Sequence, residues 1–79
     1  MTDDTLSQWT IYWNPSDFPG MYVAREWLIG RGTVRPSEVT PYIDPYLDNV
    51  RRFIAAVAPG SVCLARSEND DPTIVETWL

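Results

Sequence analysis

The stretch that decides the fold is Asp44-Pro45-Tyr46-Leu47-Asp48-Asn49-Val50-Arg51-Arg52-Phe53-Ile54-Ala55-Ala56-Val57-Ala58-Pro59-Gly60. Tyr46, Val50, Phe53, Ile54 and Val57 recur at i, i+4, i+7, i+8 and i+11, one apolar stripe of a 3.6-residue period. Asp44 is a good N-cap, and Pro45 suits the first helical position, where its missing N–H costs nothing. Asp48 and Arg52, four apart on the opposite side, form a weak helical ion pair. Pro59-Gly60 stops the helix. This is the one helix the chain spells out.

Working outward, both flanks read as strands. Residues 8–13 are rich in β-branched and aromatic types, as are residues 21–29. Between them, Asn14-Pro15-Ser16-Asp17-Phe18-Pro19-Gly20 is turn chemistry. Gly30-Arg31-Gly32 ends the second strand. Residues 33–43 hold Pro36 and Pro41 and read as an irregular connection, with room for a short edge strand at 39–43. After the helix come strands at 61–65 and 73–78, joined by the acidic turn Arg66-Ser67-Glu68-Asn69-Asp70-Asp71-Pro72. The expected class is α+β: a four-stranded antiparallel sheet in the order β-β-α-β-β, with one helix packed on one face. Residues 1–7 are expected to be a flexible N-terminus, and residues 8–79 a single domain.

Composition agrees with a small folded domain. The chain has 79 residues, 44% of them apolar, with four tryptophans to build a core. Cys63 is the only cysteine, so no internal disulfide forms, and its apolar neighbours predict a small buried hydrophobe. The acidic N-terminus is unlike a basic signal peptide, and no apolar run reaches the ~20 residues of a membrane helix. The expected location is the bacterial cytoplasm, with no membrane partner.

Charge and residue types exclude much chemistry. There is no histidine, which removes histidine-based catalytic triads and the commonest metal ligand. One cysteine without histidine makes no zinc site, and Glu68, Asp70 and Asp71 lack the spacing of a calcium loop. Gly30-Arg31-Gly32 lacks the third glycine and following helix of a dinucleotide site. We expect no enzyme and no cofactor. Eleven acids against six arginines give a net charge of −5, which opposes direct nucleic-acid binding and favours a protein partner with a basic surface.

Two binding surfaces follow. One is acidic: Glu68, Asp70 and Asp71, with Asp17 in the other loop and Asp3 and Asp4 at the N-terminus. The other is aromatic. One helix covers one sheet face only, and Trp27, Arg25, Trp78 and Glu76 form a docking patch of the types that dominate interfaces. The expected state is a monomer or a weak homodimer.

The run Trp9-x-Ile11-Tyr12-x-x-Pro15-x-Asp17-x-Pro19-x-x-Tyr22-Val23-x-Arg25-x-Trp27, together with Asp70-Asp71-Pro72-x-Ile74-Val75-Glu76-x-Trp78-Leu79, resembles a group of small bacterial and mobile-element proteins. That likeness covers a little under half the chain and carries no biochemical function. The whole profile also resembles the anti-CRISPR proteins of phages, in particular inhibitors of type I surveillance complexes (Cascade). The resemblance implies a non-enzymatic inhibitor that binds the effector so that target DNA is not loaded. Such inhibitors share no common motif, so it transfers no individual residue. The alternative is a small interaction or accessory domain of a bacterial or prophage genome with no anti-defence role.

Overall fold

A computed structural model describes residues 5–68 and 70–79. The class is α+β: one helix and an antiparallel sheet, with six strands rather than the expected four. The strands are β1 (Leu6–Trp13), β2 (Tyr22–Gly30), β3 (Thr33–Pro36), β4 (Tyr42–Asp44), β5 (Cys63–Ala65) and β6 (Ile74–Trp78), with α1 (Leu47–Val57) between β4 and β5. The sheet order is β3-β2-β1-β6-β5, and β4 also pairs with β2.

The two additional strands lie in the proline-bearing segment expected to be irregular. β3 pairs with the last four residues of β2 and β4 with the first three, end to end along one edge. An edge strand tolerates proline because one row of its N–H groups has no strand to bond. Pro36 therefore ends β3 instead of preventing it. The edge strand expected at 39–43 forms slightly later, at Tyr42–Asp44. β1 starts at Leu6, inside the stretch expected to fray; residues 1–4 of that stretch lie outside the described residues.

The helix also starts later than its sequence signals suggest. Its N-cap is Tyr46, with no side-chain cap, so Pro45 stands outside the helix and Asp44 ends β4. Asp44 still fastens the start. Its carboxylate accepts the Tyr46 N–H at 2.8 Å and the Asn49 amide at 3.2 Å, which holds its pKa below the ordinary aspartate value. The residues of this segment that face the core are Leu47, Val50, Phe53, Ile54 and Ala58. Tyr46 and Val57, expected in the apolar stripe, are 69% and 49% exposed. Asp48 stands 4.0 Å from Arg51, one turn back, instead of pairing with Arg52.

The core lies between α1 and one sheet face. Trp9, Ile11, Ala24, Val50 and Ile54 are buried there. Phe53 joins the layers: its ring meets Trp9 edge-on at 5.3 Å and stacks on Tyr42 at 4.5 Å. Each such large side chain contributes roughly 1.5–3 kcal/mol through burial.

Candidate functional site

Strand register assigns every side chain to a face. Trp9 opposes Glu26 on one side and Trp78 on the other, and Ile11 opposes Ala24 and Glu76. With the core residues Trp9, Ile11 and Ala24 under α1, this row is the covered face. Gln8, Thr10 and Tyr12 alternate with it, opposite Trp27, Arg25 and Val23, and form the face that no helix covers.

β6 does not alternate simply. Tyr12 pairs with Ile74 but Ile11 pairs with Glu76, so Val75 is an extra residue, a β-bulge. The bulge puts Ile74 on the open face beside Tyr12 and leaves Glu76 on the covered one. Strict alternation would have joined them.

The docking patch expected from Trp27, Arg25, Trp78 and Glu76 is therefore divided. Trp27 and Arg25 are on the open face. Glu76 and Trp78 belong to the covered side, where Glu76 is only 5% exposed. Its carboxylate accepts two hydrogen bonds from Arg51 of α1, at 2.7 and 3.1 Å, one from the Trp78 indole at 2.8 Å, and a longer one from the Cys63 thiol at 3.4 Å. Burial pushes the Glu76 pKa up, but these donors outweigh it and hold the value below normal. This is a structural anchor, because a buried charge needs such partners.

Cys63 is exposed, not the buried hydrophobe its neighbours suggested. It sits on β5, which is an edge strand among the described residues. Partial desolvation, with the adjacent Glu76 carboxylate, raises its pKa. That is the opposite of what activates a nucleophile.

On the open face Trp27 is the hub. One hollow is lined by Gln8, Thr10, Tyr12, Trp27, Val34 and Ile74. A second, of about 450 Å³, runs past Tyr12, Pro15, Arg25, Trp27 and Pro36 to Asp71 and Thr73. Arg25 donates to Asp17 at 2.5 Å, fastening the β1–β2 loop beside the hollow. That loop is closed by Asn14, whose φ is +53° and whose Oδ1 accepts the Gly20 N–H at 2.7 Å. Asparagine is among the few residues that adopt this conformation readily.

The acidic turn is partly architecture. Asp70 accepts the Ser67 N–H at 2.8 Å. Asp71 accepts the Thr73 N–H and hydroxyl at 2.9 and 2.8 Å, which lowers its pKa. Asp71 also reaches the Trp27 hollow, so tertiary structure brings Arg25, Trp27 and Asp71 together, with Asp17 bonded to Arg25 beside them. Glu68 is exposed in the turn. Asn69, Asp3 and Asp4 lie outside the described residues. Sequence reading missed Val34, Pro36 and Ile74 as site residues. Val34 and Pro36 belong to a strand it did not expect, and Ile74 depends on the bulge.

Among the described residues no cluster of three or more His, Cys, Asp or Glu side chains is placed to hold a metal ion. No helix among them is long and apolar enough to cross a membrane. No protein-family model, curated protein or solved structure matches this chain.

Proposed function

We propose that the protein is a non-enzymatic inhibitor that docks a basic protein surface through its open sheet face. The observation that carries this reading is the arrangement around Trp27: a half-buried indole among Tyr12, Val34 and Ile74, with Asp71 at the margin and Asp17 held there by Arg25. Apolar and aromatic groups at the centre with charge at the rim is the anatomy of a specific protein interface. The rim acids and the net charge of −5 supply the complement to a basic partner and speed its encounter.

Within that class, the resemblance to anti-CRISPR proteins selects the partner: the basic DNA-binding channel of a type I CRISPR effector. The inhibitor would occupy the channel with carboxylates where DNA phosphates otherwise sit. The test combines a pull-down on purified effector with a DNA-binding assay. Saturating inhibitor is expected to abolish DNA loading, and undiminished loading overturns the reading. Trp27→Ala is expected to weaken association at all salt concentrations, because it removes apolar contact. Replacing Glu68, Asp70 and Asp71 with lysine is expected to weaken it most at low salt.

A further inference from the structure

The two margins of the sheet are built differently. At one, β3 carries Arg35 and Pro36, and β4 pairs with the first three residues of β2. At the other, β5 has β6 as its only sheet neighbour among the described residues. The run Val62-Cys63-Leu64-Ala65 there has no charge and no proline, and all four residues are exposed. Proteins usually guard a sheet edge with charge, proline or a covering segment, and this edge lacks the first two within the run.

The hydrogen-bond phase of that edge is determined. Val62 and Leu79 exchange both backbone bonds, at 2.8 and 3.0 Å. Bonded and non-bonded pairs alternate in an antiparallel ladder, so Leu64 exchanges its bonds with Thr77. Cys63 and Ala65 therefore turn their N–H and C=O groups outward. These two outward sets flank Leu64 symmetrically.

We propose that this edge is the docking site for a second copy of the chain. A two-fold axis through Leu64 sets the two β5 strands antiparallel, with Cys63 opposite Ala65 of the second copy and Ala65 opposite its Cys63. Four backbone hydrogen bonds form. Leu64, 47% exposed in one chain, meets Leu64 of the second copy as a close non-bonded pair on the open face. The pattern is self-complementary, which is what a two-fold interface requires. Both open faces then point the same way, with their Trp27 patches about 34 Å apart, seven strand spacings along one sheet. Such a small interface between two chains of charge −5 is weak and strengthens with salt, which screens their repulsion. It stands independently of the partner proposed above.

The experiment is sedimentation equilibrium of the full chain under reducing conditions, from micromolar to millimolar concentration. The mass is expected to climb from 9.0 kDa towards twice that value. Ala65→Pro removes an outward N–H and leaves the β6 ladder intact, so it is expected to keep its melting temperature and stay monomeric. Leu64→Cys in a Cys63→Ser background is expected to oxidise readily to a symmetric disulfide, whereas native Cys63, opposite alanine, is not. If Ala65→Pro fails to fold, Leu64→Lys replaces it and is expected to be monomeric. A native chain that stays at monomer mass throughout overturns the proposal. So does a folded edge variant that associates like the native chain, or native Cys63 oxidising as readily as the residue-64 cysteine.

Discussion

Arg51 and Glu76 are 25 positions apart in the chain, and the Arg51 guanidinium grips the Glu76 carboxylate with two hydrogen bonds, of 3.1 and 2.7 Å. The pair ties α1 to β6 across the edge of the core. Arg51 is 45% exposed, whereas the Glu76 side chain is 7% exposed, so solvent moderates the attraction without reaching most of the carboxylate. Arg51→Ala leaves that carboxylate buried with weaker partners. We expect a loss of about 1–3 kcal/mol in chemical denaturation. Arg52→Ala, on the exposed side of the same helix, is expected to change stability by less than about 0.5 kcal/mol.

The acid limb of the stability curve follows from three carboxylates. Glu76, Asp44 and Asp71 all have folded pKa values below their ordinary ones. A depressed carboxylate pKa stabilises the fold above the unfolded value, and that contribution is lost as pH falls through the folded value. Urea midpoints are expected to hold from neutral pH to about pH 5 and to fall below about pH 4. Glu76→Gln is expected to lower the neutral plateau and flatten the acid limb. An unchanged limb in that variant would assign the acid loss to other groups.

Cys63 is accessible yet poorly ionised. Its raised pKa means less thiolate at a given pH, so native labelling by a maleimide at pH 7.5 is expected to run slower than for a free thiol. Glu76→Gln removes the neighbouring negative charge and is expected to accelerate the reaction. A rate that is the same in both proteins would mean that access, not ionisation, limits labelling.

The tryptophans are expected to separate by face. Trp9 is 4% exposed and central to the core, so Trp9→Ala is expected to cost about 3–5 kcal/mol and to abolish folding in a domain this small. Trp27→Ala is expected to leave a folded, cooperatively melting protein of lower stability. Near-ultraviolet circular dichroism and thermal melts distinguish the two outcomes.

Asn14 tests the β1–β2 loop. Its φ of +53° strains a β-branched side chain. Asn14→Val is expected to lose about 1–3 kcal/mol, from that strain and from the lost bond to Gly20. Asn14→Gly is expected to lose less, since only the bond goes. Thermal melts rank the two.

Much of the fold was legible in local pattern. The helix between residues 44 and 60, its termination by Pro59-Gly60, four of the strands and the antiparallel α+β class all rest on periodicity and turn chemistry, which neighbours in sequence set. Of the two strands in the proline-bearing segment, β3 was not legible, because a proline that would disrupt an inner strand is harmless at an edge, and β4 was legible only as an edge strand placed a few residues early. The helix start moved to Leu47 because Asp44 was taken into β4, a pairing with residues some twenty positions earlier in the chain.

By itself, the sequence determined which side chains share a face within β1 and β2, that a single helix covers one face only, and that histidine and disulfide chemistry are absent. Tertiary structure decided which face is covered. It set Trp27 and Arg25 outside and Trp78 and Glu76 beneath α1, and it exposed Cys63 at an unguarded edge. The physical reason is that alternation has a period but no sign. Only packing against α1 selects the inner face, and the single extra residue at Val75 then reverses the phase of β6, so Ile74 and Glu76 part company.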